Sequence, residues 1–559
     1  MNAARGPAKA DPRGRPQPAH RHRVIIAMAL FLASFGAVGA RLTQFGLSEP
    51  GEAGRHAAAA ALASRPDIVD RNGELLATDV KTASLFADPR RIVDVDEAIE
   101  KITSVLPGLD AEQTWHKLKS DAGFVWLKRE LTPRQQADIM ALGIPGIGFR
   151  TEKRRFYPGG ELASHIVGLV NIDNQGIAGI EKYIDEQGLA DLQALGLAAS
   201  NELEPVRLTI DARVQHIMRD ELEKGMDRYH AIAAAAVIID VQTGEIAAMA
   251  SLPDFDPNNP VNAHEKDRFN RMSGGVFEMG STFKTFTTAM ALDSGKVTLR
   301  DRFDASRPIN IGGFTINDFH GKRRVLSVPE IFIYSSNIGS AREADIVGIE
   351  GHREFLTRMG LLSRMSFELP EVATPTQPSQ WKKLHSVTIA FGHGVSTTPL
   401  QTAAAAVALM NGGKLIPPTL FPRSREQADA MARQVVTPET SSAMRYLFRL
   451  NVEDGSGRRA EADGYMVGGK TGTAEKVVNG RYSSDKRFNA FLSGFPLNDP
   501  RYVVLVIIDE PKPEKPGMGA TAGSNAAPIV SAIVARAASL LGVKPEFGHD
   551  AKALLVNTN

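Results

Sequence analysis

Three short strings in this chain carry residue types that can do chemistry together. They are, in sequence order, Ser281-Thr-Phe-Lys284, Ser335-Ser-Asn337 and Lys470-Thr-Gly-Thr473. Together they supply a serine nucleophile, an amine base, a second hydroxyl with an amide, and a cation followed by hydroxyls. This set suits acyl transfer, because a serine needs a base to attack a carbonyl carbon and a cation binds a substrate carboxylate.

The order of the strings, rather than any one of them, is the evidence. The Ser-x-x-Lys pattern also occurs at Ser379–Lys382 and Ser483–Lys486, and a single copy is typical of a surface helix turn. Only the copy that begins at Ser281 is followed by a Ser-x-Asn string and then by a Lys-Thr-Gly string. We therefore interpret Ser281 as the nucleophile.

The first string is predicted to begin a buried helix. Gly280 precedes Ser281, and a mostly apolar stretch covers 283–291. Serine is favoured at a helix start, and Lys284 lies on the same face three residues on. Burial lowers the proton affinity of a lysine, and a second cation such as Lys470 lowers it further. A neutral Lys284 can then accept the proton of Ser281, while the helix N-terminus stabilises developing negative charge.

The second string is a small polar turn between apolar flanks, which predicts a loop that projects into a cleft. Ser335 is expected to relay a proton between Lys284 or Lys470 and the leaving amine. Asn337 either binds a substrate amide or holds Lys284 in place. Ser336 is predicted to cap a helix.

The third string is predicted to be a cationic strand that binds substrate. Lys470 supplies positive potential for a carboxylate, and the hydroxyls of Thr471 and Thr473 donate hydrogen bonds to it. Glycine in or beside a strand permits close approach of a ligand, so Gly472 is predicted to bind substrate with the two threonines. The backbone N–H groups of Thr473 and Ser281 are predicted to form an oxyanion hole.

Composition excludes several other classes of protein. A length of 559 residues implies two or more domains. The chain has no cysteine, so it has neither a disulfide framework nor thiolate chemistry. A net charge of +1 gives no support for nucleic-acid binding. The 13 histidines form no metal-ligand pattern, and we expect neither a metal nor a cofactor.

The N-terminal part of the chain is predicted to export and anchor it. Residues 1–23 are a basic tail, and 24–42 contain an uncharged apolar run that suits a transmembrane signal-anchor. The flanking positive charge places the tail in the cytoplasm and the body outside. Val38-Gly-Ala40 leaves cleavage open, although we favour an uncleaved anchor. Residues 43–64 are predicted to be a juxtamembrane stalk.

The rest of the chain is predicted to have an α+β fold. Apolar strands at 233–240 and 245–251 form a hairpin, and two more strands follow at 488–495 and 502–509. A helix at 526–541 is expected to pack on the sheet. Sheet segments at both ends of a region, with helices between them, are typical of an antiparallel sheet flanked by helices.

The pattern changes near residue 206, which sets the predicted domain boundaries. We expect a mixed domain of strands and helices at 65–205, a catalytic domain at 206–545 and a dispensable tail at 546–559. Within the first domain, Arg154–Pro158 is either a contact site or a solvated structural turn.

Further strings outside the three active-site strings resemble one protein family, the class B penicillin-binding proteins, in its septal, penicillin-binding protein 3 type. The resemblance covers about residues 24 to 540. The strings that carry it are Arg65–Gly73, Phe156–Pro158, His165–Gly168, Asn171–Gly176, Gly179–Glu181, Asp240–Gly244, Asp254–Asn259, Gly392–Gly394 and Thr398–Gln401.

The resemblance implies a peptidoglycan D,D-transpeptidase with a transmembrane anchor, an extended pedestal domain at 65–205 of the dimerisation type, and a transpeptidase domain related to serine β-lactamases. Ser281 would attack the D-Ala-D-Ala bond of a stem peptide, and β-lactams would acylate it. The protein would lie in the inner membrane, with its catalytic domain in the periplasm. Its implied partners are lipid-linked glycan strands, a polytopic septal glycosyltransferase and other division proteins, which are expected to contact 24–205.

Three alternatives stay open. A β-lactamase shares the fold but needs an activated water for deacylation, and the anchor and pedestal argue against it. A catalytically silent divisome scaffold has no need of the three strings. The third alternative is an elongation-type transpeptidase, which is distinguished from a septal one by whether cells depleted of the protein become round or form filaments. The chain also departs from the family at Met279, where proline is common, and this puts the rigidity of the loop before Ser281 in doubt.

Overall fold

The computed structural model describes most of the chain after residue 64. Its described residues are 25, 26, 28–36, 65–194, 204–478, 481–517, 519–548, 551 and 554. Arg65–Asn559 forms one compact unit, and Met1–Ser64 is grouped separately from it.

The basic tail at 1–23 and the stalk at 43–64 lie outside the described residues. Within the predicted anchor at 24–42, residues 25, 26 and 28–36 are helical and exposed. The described part of the chain contains no helix that is both long enough and apolar enough to span a membrane. The transmembrane helix therefore stays a prediction.

The first part of the compact unit mixes strands with short helices. Its elements are β1 (Ile68–Val69), β2 (Leu75–Ala87), α1 (Val95–Val105), α2 (Ala111–Leu118), β3 (Val125–Leu131), α3 (Pro133–Ala141), β4 (Ile147–Phe156), α4 (Ser164–Val167), β5 (Leu169–Val170), β6 (Gly176–Ala178), α5 (Gly179–Ala194) and β7 (Val206–Arg207).

The long strand β2 organises this part. It pairs antiparallel with β1, β3 and β4, and β1 pairs in parallel with β7. Helices α1, α2 and α3 pack on this sheet through a core that contains Leu85, Ile102 and Leu118. Each of these helices begins at an Asp or Thr whose side chain accepts a backbone N–H, so the sequence fixes where they start.

Arg155 lies in a buried ionic network in this part of the unit. It is 3% exposed, and its guanidinium donates to Glu181 at 2.6 Å, to Asp79 at 3.3 Å and to the Pro66 carbonyl at 2.8 Å. Arg65 donates to the other oxygen of Glu181 at 2.9 Å. At Arg155, the prediction of a solvated turn is therefore wrong, because this arginine is enclosed by its partners.

The second part of the unit contains the long antiparallel strands and the larger helices. Its elements are α6 (Ala212–Tyr229), β8 (Ala233–Asp240), β9 (Ile246–Leu252), α7 (Lys284–Asp293), β10 (Arg302–Asp304), β11 (Ile309–Ile311), β12 (Phe314–Ile316), β13 (Val325–Ser327), α8 (Val328–Ile333), α9 (Asn337–Val347), α10 (Ile349–Arg358), α11 (Lys383–Ile389), α12 (Pro399–Met410), β14 (Lys414–Leu415), α13 (Arg425–Met431), β15 (Arg433–Gln434), α14 (Pro438–Glu453), β16 (Gly468–Val478), β17 (Arg481–Phe495), β18 (Tyr502–Asp509) and α15 (Ala526–Ala537).

The main sheet has the order β16-β17-β18-β8-β9, and its strands pair antiparallel. Alternate residues of β8 enter different cores. Val237 and Ile239 face the core that contains α7, α12 and α14, while Ala236 and Ile238 face the core that contains α6 and α15. Burial on both faces explains why β8 and β18 read as continuous apolar runs. The predicted α+β architecture, a sheet between two helical layers, is confirmed.

Most predicted elements of the sheet are confirmed, but several have different limits. The strand predicted at 488–495 begins at Arg481, and the strand predicted at 245–251 runs from Ile246 to Leu252. The helix predicted to run to residue 541 ends at Ala537.

Residues 206–211 also have the sequence pattern of a strand, but they pair as one only at Val206–Arg207, because the extended chain then changes partners. Leu208 N–H donates to Val69 at 2.8 Å, and Thr209 N–H donates to Leu420 at 2.8 Å.

Candidate active site

Ser281 lies in a tight turn that is pressed against β16. The turn Gly280–Phe283 is a 3₁₀ helix that continues into α7 at Lys284. Gly280 has a φ of 52°, and a Cβ there would lie 2.9 Å from the carbonyl oxygen of Thr473. A side chain at this position would therefore push the turn off the strand. Ser281 is half-buried, and the residues that follow it are buried as far as Ala291.

Lys284 is 1% exposed, and its ammonium nitrogen has three close oxygen partners. Nζ donates to the carbonyl oxygen of Ser335 at 2.6 Å, to its hydroxyl at 3.0 Å and to Asn337 Oδ1 at 2.7 Å. Burial lowers the pKa of Lys284 to about 7, although Asp318 and Glu343 act in the opposite direction. The amine therefore loses its proton near neutral pH, where a general base is most effective.

The second string connects α8 to α9. Ser335 has a φ of 55°, a left-handed conformation that costs a non-glycine residue about 1–2 kcal/mol. Ser336 is the N-cap of α9 and accepts from Gly339 N–H at 2.9 Å, so its predicted role is confirmed. Asn337 Nδ2 donates to the carbonyl of Asn317 at 2.9 Å, which leaves Oδ1 to accept from Lys284. The strained turn thus directs three oxygens at one lysine.

Lys470 approaches the same hydroxyl from β16. Its side chain is fully buried, and Nζ donates to Ser335 Oγ at 3.0 Å and to the Thr471 carbonyl at 3.2 Å. The pKa of Lys470 is well below its ordinary value. Burial is the larger cause, and the positive charge of Lys284 is the smaller one. The structure therefore brings Lys284, Ser335, Asn337 and Lys470 into direct contact.

The other residues of the third string line the neighbouring part of β16. Thr471 Oγ1 and Ser456 Oγ are 2.7 Å apart, and Thr473 Oγ1 accepts from Ala522 N–H at 3.2 Å. A Cβ at Gly472 would lie 2.5 Å from the carbonyl oxygen of Met279, so this position has no room for a side chain. The strand and the nucleophile turn are thus in backbone contact.

Glu278, just before the nucleophile turn, was missed by the sequence reasoning. Its carboxylate accepts from Gly394 N–H at 2.7 Å, from the Tyr482 hydroxyl at 3.2 Å, and lies 3.0 Å from His393 Nδ1. Burial raises the pKa of Glu278, but hydrogen bonds from His393 and Gly394 outweigh it, and the net pKa is lowered. A single acidic residue before the Met279–Gly280 turn forms no sequence pattern that would have predicted this role.

Ser456 and Asp318 were missed as well. Asp318 accepts from Ser336 Oγ at 2.8 Å and from Ile338 N–H at 2.9 Å, and so holds the start of α9. Ser456 meets Thr471, as described above. Both residues lie in connecting segments, 18 and 15 residues from these partners, so no short spacing pattern could reveal them.

Comparison with known proteins identifies both parts of the compact unit. Residues 234–535 match the family model described as the penicillin-binding protein transpeptidase domain. Residues 60–189 match the model described as the penicillin-binding protein dimerisation domain. These matches correspond to the second and first parts of the fold.

Several curated proteins are similar along nearly the whole chain. The probable peptidoglycan D,D-transpeptidase FtsI of Caulobacter vibrioides is 37% identical over 544 residues, which is 95% of this chain and 90% of that protein. The probable peptidoglycan D,D-transpeptidase PenA of Neisseria gonorrhoeae is 32% identical, covering 93% of each chain. The peptidoglycan D,D-transpeptidase FtsI of Escherichia coli K12 is 29% identical, covering 86% of this chain and 84% of that protein.

Proposed function

Because the chain belongs to the class B penicillin-binding proteins and carries both of their domains, we propose that it is a peptidoglycan D,D-transpeptidase that cross-links stem peptides during septal wall synthesis. The observation that carries the proposal is the hydroxyl of Ser335. It lies 3.0 Å from both Lys284 Nζ and Lys470 Nζ, and Lys284 directly follows the turn that contains Ser281. A scaffold has no need for two buried lysines in contact with one serine.

In the first half of the reaction, Ser281 Oγ attacks the carbonyl carbon of the D-Ala-D-Ala bond. Lys284 Nζ takes the serine proton, which its lowered pKa permits. The oxyanion that forms faces the backbone N–H groups of Ser281 and Thr473. The C–N bond then breaks, and a proton passes through Ser335 to the nitrogen of the departing D-alanine. The rest of the stem peptide remains bound to Ser281 as an ester.

In the second half, an amine of a neighbouring stem peptide attacks that ester. Lys284 accepts the amine proton, the C–O bond to Ser281 breaks, and the serine oxygen recovers a proton. A new amide bond replaces the one that was broken, so no outside source of energy is required. A β-lactam stops the cycle at the ester, because it acylates Ser281 in the same way as the dipeptide.

Lys470, Thr471 and Thr473 bind the terminal carboxylate of the substrate, and Gly472 gives that group access to the strand. Burial beside Lys284 lowers the pKa of Lys470. An arriving carboxylate stabilises the protonated form of Lys470, so substrate binding and proton uptake favour each other. Because of this coupling, Lys470 is positively charged when the substrate carboxylate is bound.

We also propose that 24–42 anchors the chain in the inner membrane, that 65–205 is the pedestal and that 206–545 is the transpeptidase domain, exposed in the periplasm. The transmembrane helix and pedestal would contact a polytopic septal glycosyltransferase and other division proteins. Depletion in cells tests the septal role, since filaments are expected and round cells would instead indicate an elongation enzyme.

The first test is covalent labelling of the purified full chain in detergent with a fluorescent penicillin. A stable adduct, read by gel and intact mass, is expected on the wild type and absent from Ser281→Ala. Ser379→Ala is the matched control, because it removes the serine of another Ser-x-x-Lys string. No adduct on folded wild type would indicate a silent scaffold, and rapid loss of the label would indicate a β-lactamase.

A further inference from the structure

The hydroxyl of Thr471 has a neighbour that the steps above do not use. Thr471 directly follows Lys470 on β16, is 8% exposed, and its Oγ1 lies 2.7 Å from Ser456 Oγ. Ser456 is the one side-chain partner of this hydroxyl among the residues that the structure describes. It lies in the segment between α14 and β16, outside the three active-site strings. The contact thus joins an unassigned serine to a residue that is proposed to bind the substrate carboxylate.

Ser456 is held in place by Asn451, which is fully buried in the last turn of α14. Asn451 Nδ2 donates to the carbonyl of Gly469 on β16 at 2.7 Å, and Oδ1 accepts from the backbone N–H of Ser456 at 3.1 Å. These two bonds assign the orientation of the amide, because a carbonyl faces one end and an N–H the other. A Cβ at Gly523 would lie 2.5 Å from the carbonyl oxygen of Ser456, so a third segment encloses the serine.

The number of hydrogens on these side chains limits what Thr471 can do. A hydroxyl has one hydrogen to donate, while an ionised carboxylate and an amide oxygen only accept. Ser456 Oγ also lies 3.2 Å from Asn451 Oδ1. When Ser456 donates to Asn451, Thr471 donates to Ser456, and its hydrogen is not available to a substrate. When Ser456 donates to Thr471 instead, the hydrogen of Thr471 is free to bind a carboxylate.

Thr473 differs from Thr471 in this respect. Its Oγ1 accepts from the backbone N–H of Ala522 at 3.2 Å, a bond that leaves the hydrogen of the threonine free. A backbone N–H can only donate, so this bond has no second arrangement. Of the two threonines, it is therefore Thr471 whose direction of donation depends on a neighbouring side chain.

We propose that Ser456 is a positioning residue for the substrate carboxylate, an inference that rests on the proposed function. The arriving carboxylate accepts the hydrogen of Thr471, and Ser456 turns its own hydrogen from Asn451 to Thr471. Asn451 Oδ1 keeps the backbone N–H of Ser456, so the turn leaves no buried acceptor without a partner. Hydrogen bonds in a chain strengthen one another, so the bond from Ser456 both directs and strengthens the bond from Thr471 to the carboxylate.

The test compares benzylpenicillin with its methyl ester, which has the same rings and side chain but no negative carboxylate. The second-order rate constant of acylation is measured by intact mass on the full chain in detergent. Wild type is expected to prefer the acid, because Lys470 and the two threonines bind a carboxylate. Ser456→Ala is expected to lower the rate constant for the acid roughly threefold to tenfold, the range of one hydrogen bond, and to leave that for the ester close to wild type.

Ser442→Ala is the matched control. Ser442 lies on α14, and its hydroxyl accepts from Arg445 of the same helix at 3.0 Å. The control removes a hydroxyl and one hydrogen bond, as Ser456→Ala does, but from a serine that is not bonded to Thr471. It is expected to keep the wild-type preference for the acid. A purely structural role of Ser456 would lower the rate constants for acid and ester by the same factor.

Thr471→Val supplies a second measurement. If Ser456 acts through Thr471, adding Ser456→Ala to Thr471→Val should cause no further loss of the preference for the acid. An unchanged preference in Ser456→Ala, equal losses for acid and ester, or additive losses in the double variant would overturn the inference. A wild type that does not prefer the acid would instead contradict the carboxylate-binding role given to the third string, so the two failures are distinguishable.

Discussion

At the scale of single residues, the hydroxyl of Ser335 defines the chemistry of the site. A hydroxyl has one hydrogen to donate and two lone pairs that accept. Lys284 and Lys470 each lie 3.0 Å from it, and two ammonium groups at that distance repel each other. Removal of one proton relieves the repulsion and lets Ser335 donate to the neutral amine. We therefore expect the two lysines to share a single proton near neutral pH.

The contact between Asn337 and Lys284 leads to a prediction about pH. Asn337→Asp places a carboxylate where the amide oxygen now accepts from Nζ at 2.7 Å. A negative charge at that distance raises the pKa of Lys284 above its present value of about 7. Acylation by penicillin should then be slower at neutral pH and recover as the pH rises. The rate constant of labelling across pH measures both effects.

Asn337→Ala is the control for this prediction, because it removes the oxygen without adding charge. It should reduce the rate at every pH and leave the midpoint close to that of the wild type. If Asn337→Asp and Asn337→Ala had the same midpoint, the charge environment of Lys284 would not govern the reaction.

Sequence analysis singled out the residues that meet at Ser335, because their types and their order along the chain suit acyl transfer. It did not predict that Glu343 is completely buried, since a glutamate on a helix usually faces solvent. Its burial depends on how α7 packs against α9, two helices separated by the segment between residues 293 and 337. The sequence near Glu343 contains no sign of that contact.

At the scale of elements, Glu278 joins three segments around the nucleophile. Its carboxylate connects the residue before the Met279–Gly280 turn to the Gly392–Gly394 loop and to Tyr482 on β17. A Cβ at Gly392 would lie 1.9 Å from the carbonyl oxygen of Gly280, so that loop also touches the turn directly. These contacts with neighbouring segments restrain the turn. A proline at 279 would instead have restricted the backbone torsion angle φ of the turn itself.

Glu278→Gln is expected to destabilise the protein and to slow acylation. Loss of hydrogen bonds to a charged group costs about 1.5–3 kcal/mol. The pKa of Glu278 is lowered in the folded state, so its contribution is fully present above about pH 4.3, the ordinary value for glutamate. The contribution is lost as the pH falls through the lowered folded pKa. Thermal unfolding of wild type and variant should therefore differ at neutral pH and converge in acid.

Tyr482→Phe is a graded comparison, because it removes only the longest of these hydrogen bonds, at 3.2 Å and 3.3 Å. Its effect on unfolding should be smaller than that of Glu278→Gln. Equal effects, or an unfolding difference that persists in acid, would contradict the role given to the carboxylate.

At the scale of the whole molecule, the α+β architecture could be predicted from sequence. Strands that are buried on both faces of the sheet, such as β8 and β18, have long apolar sequences that are easily recognised. The first part of the compact unit could not be predicted in the same detail, because several of its strands are only two residues long and its charges are partly buried. β1 pairs with β2 at its bulged end and in parallel with β7, so one sheet includes residues far apart in sequence. Such pairing has no local pattern.

The buried ionic network in the first part of the unit predicts a large effect on stability. Arg155→Met leaves Glu181 and Asp79 buried without this cation, although Arg65 still pairs with Glu181. Removal of one partner from a buried network typically costs about 3–5 kcal/mol. The free energy of unfolding should fall by that amount, while folded molecules at low temperature still acylate, because Ser281 lies in the other domain.

Arg154→Met is the matched control at the neighbouring residue. Arg154 pairs with Glu130 at 3.3 Å, and the two side chains are 37% and 29% exposed. An exposed ion pair contributes about 1 kcal/mol or less, so this variant should unfold close to the wild type. Denaturant unfolding of both variants compares one arginine that is enclosed with one that is not. If they lost equal stability, the network around Arg155 would not be what holds the first domain together.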